Sequence, residues 1–295
     1  MQAVRVTQQM LGSVLTSDLQ SVQSQMLQVQ QQLASGKRIL VPSNDPVGTQ
    51  NVLQWQGAMA QNKQFQANAS NAVDWLQSTD TALQSAVSVA QQVRTLAVST
   101  GSAALTSSED QTIASQISSL QSSLVQIGNT KVGDHYLFNG DQTATPPFTQ
   151  SGNSVAFAGG TGAQMREVAP GSSIQANTGG GVFTPLFGAI TQILQDLKSP
   201  STVGNVTSGD LAALDAAIGN LSNANGQVGA SLQQAQQAQG MLTDLNQSLQ
   251  TLEAGTLDTN MAQAVVQLQE LQVGYQSALA VGGRLLQPTL AHYLQ

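Results

Sequence analysis

A chain of 295 residues is long enough to form one large domain or two moderate ones with proper cores. Only 8% of its residues are charged and its formal net charge is −7, so a nonspecific grip of Lys and Arg on nucleic acid phosphates is not expected. The chain has no cysteine and therefore no disulfide, and it has no run of about 18 apolar residues of the kind that crosses a membrane.

The first helix is predicted from Thr7 to Ala34. The ten residues MQAVRVTQQM at the start lack the apolar core of a secretory signal, so we expect no conventional signal-directed export. Beyond them, apolar residues alternate in steps of four and three, which is the heptad pattern of a coiled coil. We call these residues the N-terminal seam: Leu15, Leu19, Val22, Met26, Val29 and Leu33. One narrow apolar stripe stabilises a helix only when a partner covers it.

The stretch SGKRILVPSNDPVG, residues 35–48, combines a helix stop, a loop and a helix start. Gly36 suits the left-handed position that ends a helix, with Lys37 and Arg38 near the negative end of the helix dipole. After Pro42, the pair Asp45-Pro46 predicts an N-cap followed by the first residue of the next helix.

Two further helices are predicted from Pro46 to about Gly101, with one or more interruptions, and from Ser107 to Asn129. The first of these is expected to bury the following residues: Val52, Trp55, Met59, Val73, Leu76, Leu83, Val87 and Leu96.

The composition changes at Gly133, where a stretch rich in Gly, Pro, Thr and Asn begins and extends to residue 185. Short apolar runs at 136–138, 155–157 and 165–168 predict strands joined by turns. Helical patterns return over 185–197, 211–253 and about 260–286. We call the apolar residues of the last helix the C-terminal seam: Ala264, Leu268, Leu271, Tyr275, Ala278, Gly282 and Leu285.

The predicted fold class is mainly α: an elongated helical bundle with coiled-coil terminal helices and a small β-rich insert. The two seams make the terminal helices natural antiparallel partners. The expected organisation is a terminal domain of 1–40 and 258–295, a helical body of 41–132 and 186–257, and an insert domain of 133–185.

No constellation of acids, bases or metal ligands predicts an enzyme or a cofactor site. His135, with Asp134 and Asp141 nearby, lacks the ligand spacing that metals favour, and it is interpreted as part of a solvated loop. The glycine-rich segments lack the lysine of a phosphate-binding loop. Catalytic, cofactor-binding and metal residues are therefore all predicted to be none.

The motifs SGKRI, PSNDPVG and LAHYL together resemble the flagellin family. The resemblance covers roughly residues 4–100 and 205–294, and it is weaker through GDHYLFNG. Lys37 and Pro46 favour the family's hook–filament junction proteins over its filament subunits. Asn44 stands where an acid is usual, and Thr289 where Ser is common.

This resemblance implies an extracellular part of the bacterial flagellum, exported by the flagellar type III pathway. It implies as partners hook-associated protein 1, flagellin, further copies of the chain in a ring-like layer, and an export chaperone. It also implies terminal segments that become ordered on assembly.

The predicted assembly interface consists of the N-terminal seam, the two cations Lys37 and Arg38, and four residues of the C-terminal seam: Leu268, Leu271, Tyr275 and Leu285. In it the two cations meet acidic neighbours. A simple helix-capping role for the cations is the alternative. Two other functions stay open: a flagellin filament subunit, and a secreted adhesin-like protein that binds through the 133–185 insert.

Overall fold

A computed structural model describes residues 8–101, 107–198 and 206–285. The chain divides into two compact units. The terminal unit holds the described residues up to Ala60 and those from Asn246 onward, and the central unit runs from Gln61 to Leu245. The domain boundaries expected from the sequence stay a proposal.

The described part holds six α-helices, which confirms the mainly α class. They are α1 (Gln8–Ser35), α2 (Pro46–Gly101), α3 (Ser107–Gly128), α4 (Thr184–Asp196), α5 (Leu211–Leu257) and α6 (Met261–Leu285). A 3-10 turn, Gly180–Phe183, precedes α4, and a π-helical turn, Val206–Asp210, precedes α5. None of these described helices is long and apolar enough to cross a membrane.

The predicted interruption of the second helix is wrong, because α2 continues without a break for 56 residues. In the central unit most of its buried positions follow alternating steps of three and four, so packing along the helix offsets weak local helix preference. Most are small: Ala69, Ala72, Leu76, Thr79, Leu83, Ala86, Ala90, Val93, Ala97 and Thr100.

Helix α5 carries the complementary seam of the central unit. Its buried residues there are Leu214, Ala217, Leu221, Ala224, Val228, Ala235 and Leu242. Arg94 Nη2 donates to Asp215 Oδ2 at 3.1 Å, and Gln66 Nε2 donates to Thr243 Oγ1 at 2.8 Å. Because the order of these contacts reverses between the helices, α2 and α5 run antiparallel in this unit.

The insert forms three antiparallel hairpins. Their strands are β1 (Lys131–Val132), β2 (His135–Tyr136), β3 (Phe148–Ser151), β4 (Ser154–Phe157), β5 (Met165–Ala169) and β6 (Ser172–Gln175). The runs at 155–157 and 165–168 lie within strands as predicted. The first prediction extends too far, because Leu137 and Phe138 follow β2 and are buried as core residues.

An aromatic cluster anchors the insert to α4. Phe148 lies at its centre, with ring centroids 5.2 Å from Phe157 and from Phe187 and 5.6 Å from Phe183. Phe138 packs edge-on against Phe183 at 4.9 Å. Five of the six phenylalanines of the chain thus meet in one place.

Buried asparagines hold the loops above this cluster. Asn139 Nδ2 donates to the Thr145 carbonyl at 2.6 Å, and its Oδ1 accepts from Gly160 N at 2.9 Å. Asn177 Oδ1 accepts from Gln164 N at 2.7 Å. These side chains satisfy backbone groups that lie outside any strand, which makes the loops part of the core.

In the terminal unit, α1 and α6 pack side by side in opposite directions; we call this pair of helices the terminal hairpin. Thr259 N donates to the Gly36 carbonyl at 2.9 Å near one end. Toward the other end, the Leu15 side chain lies over Gly282, where a Cβ would stand 2.4 Å from Leu15 Cδ2. Glycine at 282 leaves room for Leu15, since a Cβ there would require the end of the Leu15 side chain to shift.

Candidate functional site

The corner after α1 is joined by backbone bonds to the junction of α5 and α6. Gly36 has φ 71°, a left-handed conformation that favours glycine. Lys37 pairs with Asp258 in an antiparallel bridge, and Arg38 N donates to the Leu257 carbonyl at 2.7 Å. We call residues 36–48, together with 256–260, the corner.

The Arg38 guanidinium contacts two other parts of the corner. Its Nη2 and Nε donate to the Thr256 carbonyl at 2.8 and 3.2 Å. The same Nη2 lies 3.0 Å from Asp45 Oδ2. The Arg38 side chain is nevertheless 48% exposed, so part of it is accessible to a further partner.

Asp45 caps the start of α2. Its Oδ1 accepts from Gly48 N at 2.8 Å, and its carbonyl accepts from Thr49 N at 2.9 Å. The Gly48 hydrogen bond and then the Arg38 guanidinium hold the pKa of this carboxyl below its usual value. Asp45 therefore stays ionised at neutral pH and keeps both of its partners.

The two prolines of the motif lie on either side of this cap. Pro42 is exposed in a tight turn closed by a hydrogen bond from Asn44 N to the Val41 carbonyl at 3.0 Å. Pro46 is the first residue of α2, where its missing N–H removes no helical bond.

The structure brings the two predicted seams together as the facing sides of α1 and α6. Val29, Ala264 and Gly282 are buried in this interface. The remaining seam positions are only half-buried: Leu15, Leu19, Val22, Met26, Leu33, Leu268, Leu271, Tyr275 and Ala278. Leu285 ends α6, and its side chain lies outside the described residues, as do His292 and the rest of PTLAHYL.

Large apolar side chains also lie on the outer surfaces of the terminal helices. Val266 and Val273 are 53% and 63% exposed, and they lie one heptad apart on the face of α6 opposite its seam. On α1, Met10 and Val14 are exposed one turn apart. A single hairpin therefore leaves apolar surface of the kind that marks interaction sites.

A glutamine-lined cleft of about 310 Å³ lies between α1 and α6 beside the corner. Its walls are Gln25, Gln28, Val29, Gln32, Arg38, Thr259, Asn260, Gln263, Ala264 and Gln267. Gln32 Nε2 donates to the Arg38 carbonyl at 2.9 Å, so one wall is bonded to the corner loop.

His135 belongs to the insert and not to the corner. Its Nδ1 lies 2.8 Å from Thr143 Oγ1, and Asp141 Oδ1 accepts from Gly162 N at 3.3 Å. Each side chain therefore has a local partner that accounts for its place in the loops.

Comparison with known proteins agrees with this architecture. Residues 6–143 match the family model of the bacterial flagellin N-terminal helical region. Over these residues the chain is similar to the helical N-terminal region of bacterial flagellins, as its motifs indicate.

The particular relatives are hook-associated proteins. Flagellar hook-associated protein 3 of Salmonella typhimurium is 22% identical, over 96% of this chain and 98% of its own length. A solved structure of a putative flagellar hook-associated protein from Vibrio parahaemolyticus has a TM-score of 0.67 and 18% identity, over 73% of this chain and all of that one. The flagellar junction protein FlgL of Legionella pneumophila has a TM-score of 0.58 and 15% identity, over 72% of this chain and 100% of that one.

Sequence reasoning missed the residues that complete the corner. Thr256 and Leu257 contribute backbone carbonyls, which no residue type reveals. Gly48 carried a signal, because it stands three residues after the Asp45 N-cap in PSNDPVG. A Cβ there would stand 2.5 Å from Asp45 Oδ2 and 2.9 Å from Ile39 Cδ1. Glycine at 48 therefore leaves room for the Asp45 side chain in its capping position.

Proposed function

We infer that this chain is a structural subunit of the bacterial flagellum that joins the hook to the filament. The observation that carries the inference is similarity from end to end. A hook-associated protein 3 aligns over 96% of this chain, so both terminal helices and the insert belong to the shared architecture. The chain acts by packing against other subunits and carries out no reaction of its own.

We propose that its partners follow the same order as in that architecture. Hook-associated protein 1 lies on one side and flagellin on the other, and copies of the chain form a ring-like layer between them. Before assembly an export chaperone holds the C-terminal region, and the chain leaves the cell through the flagellar type III pathway. The names of the relatives, hook-associated and junction protein, support the placement between hook and filament.

The terminal hairpin is proposed as the part that enters the assembly. Its seam residues are mostly half-buried, and Val266 and Val273 are exposed on the outer face of α6. Full burial of an exposed apolar side chain gains about 1.5–3 kcal/mol, and completing the burial of a half-buried one gains less. This gain offsets the cost of ordering the helices, so full order of the ends accompanies docking.

Lys37 and Arg38 are proposed to face acidic side chains of neighbouring subunits. Both are exposed, and the chain is acidic overall with a net charge of −7. A cation at the rim of such an interface assists association more than it adds affinity. Reversal of the charge at Lys37 should therefore slow incorporation into flagella without changing the helix content of the purified chain.

Electron microscopy of flagella from a strain that lacks this chain tests the function. We expect hooks without filaments, and we expect added purified protein to restore filament growth. A matched protein carrying Val266→Glu and Val273→Glu should remain folded and fail to restore growth. Normal filaments on the deletion strain would overturn the proposal.

The same strain separates the other functions that the sequence left open. A filament subunit would be present throughout the filament, whereas a junction subunit occupies one layer at its base, which quantitative mass spectrometry distinguishes. An adhesin would lose surface attachment and keep motility when exposed insert residues such as Met165 are replaced. Point replacements are preferable to deleting the insert, because Phe148 of the insert packs against Phe187 of α4.

A further inference from the structure

The junction of α5 and α6 consists of only three residues, Asp258–Asn260, between a helix that ends at Leu257 and one that begins at Met261. Carbonyls in the last turn of a helix have no partner within that helix. Thr256 and Leu257 contribute two such carbonyls, and both accept hydrogen bonds from Arg38, one from its side chain and one from its backbone.

The guanidinium is well suited to this position. A cation at a helix C-terminus interacts favourably with the negative end of the helix dipole. Two of its nitrogens converge on the Thr256 carbonyl while Nη2 also reaches Asp45. Asp45 is itself fixed as the cap of α2, so the guanidinium is held between the end of α5 and the start of α2.

Neighbouring hydrogen bonds connect the α5–α6 junction to the end of α1 and to the start of α6. Thr259 N donates to the Gly36 carbonyl immediately after α1. Asn260 Oδ1 then accepts from Gln263 N at 3.2 Å, which caps the start of α6. The end of α1 and the start of α6 are therefore both attached within three residues of the groups that Arg38 contacts.

The geometry points to Arg38 as a positioning residue that fixes the α5–α6 junction and thereby sets the register of α6 against α1. This role lies inside one chain and is independent of any neighbouring subunit. Lys37 differs, because it joins the junction through its backbone bridge to Asp258 and its side chain is exposed. Arg38 thus has a role within the chain that Lys37 does not share, beside the contact with neighbouring subunits proposed for both.

A disulfide trap tests the register directly, because the chain has no cysteine of its own. In the full-length variant Leu15→Cys with Gly282→Cys, replacing Leu15 removes the side chain that a Cβ at 282 would meet. Under mild oxidation we expect rapid disulfide formation within one chain. Adding Arg38→Ala should slow this by about tenfold, the effect of losing a charged hydrogen bond.

The matched control is Lys37→Ala, which removes an equal charge from the adjacent position and should leave the disulfide rate unchanged. Arg38→Lys keeps the charge without the planar fork and should recover only part of the rate. Hydrogen exchange by mass spectrometry should show faster exchange over 256–285 in Arg38→Ala and no change in 61–245. Equal disulfide rates in Arg38→Ala and Lys37→Ala, or no disulfide with Arg38 present, would overturn the proposal.

Discussion

The helices of the central and terminal units carry apolar residues at the same heptad spacing, but the two units bury these residues to different extents. In the central unit, seam residues such as Leu83 and Leu221 are fully buried, and an aromatic cluster extends the same core. In the terminal unit, α1 and α6 cover each other on one side only, and most seam residues stay half-buried. A heptad pattern therefore predicts that a helix has a partner, whereas the number of partners depends on the rest of the chain.

The largest effect is expected from opening the aromatic cluster. Phe148→Ala removes a ring that packs against three others, and loss of a buried phenylalanine costs about 3–5 kcal/mol. Chemical denaturation should show this loss in the central unit. Hydrogen-exchange protection of the terminal hairpin should be unchanged. An equal loss of protection in both units would contradict the difference between them.

A matched pair of leucines sharpens the comparison. Leu221→Ala in α5 creates a cavity in a fully buried seam and should cost about 2–5 kcal/mol of unfolding free energy. Leu271→Ala in α6 removes a half-buried side chain and should cost about 1 kcal/mol in the free chain. Equal costs, measured by denaturation of the two variants, would mean that the terminal seam is already covered.

In the central unit, one buried carboxyl is expected to make the free energy of unfolding depend on pH. Burial, and then the hydrogen bond and charge of Asp196, raise the pKa of Asp210 from 3.8 to about 6. The folded state binds this proton more tightly than the unfolded state. The contribution of Asp210 to the free energy of unfolding is therefore full below about pH 4 and is lost as the pH rises through about 6. Asp210→Asn should weaken this dependence in denaturation experiments between pH 4 and 7.

Asp215→Asn is the control for this measurement. The hydrogen bond from Arg94 lowers the pKa of Asp215, so its contribution has the opposite sign and is lost on acidification. A dependence on pH that is unchanged in Asp210→Asn would contradict the assignment to the buried carboxyl.

The smallest effect is expected at the ion pair between α2 and α5. Arg94 and Asp215 are each 47% exposed, and exposed ion pairs contribute little to stability because solvent screens the charges. Arg94→Gln should lower the unfolding free energy of the central unit less than any of the substitutions above, and added salt should reduce the difference. A larger, salt-independent loss would show that the pair, and not the seam, aligns the helices.

The sequence predicted the helices well because their signals are local. Seam spacing, the Asp45-Pro46 start and the Gly36 stop all lie within one or two turns of the features they define. The aromatic cluster was not predicted, because its phenylalanines are scattered between residues 138 and 187 without a period. The contact of Arg38 with Thr256 was not predicted either, since it joins positions 218 residues apart through a backbone carbonyl.

The alanines of α2 illustrate a different limit of sequence reasoning, and they also bear on how closely other helices can pack against α2. An alanine adds little hydrophobic signal, so Ala69, Ala86 and Ala90 attracted no prediction, yet all three are fully buried. Helix spacing depends on the side chains at the contact, and a methyl group has no rotamers through which it could adapt. Each alanine therefore holds the facing helix at a fixed distance, and a bulkier residue in its place would force the helices apart.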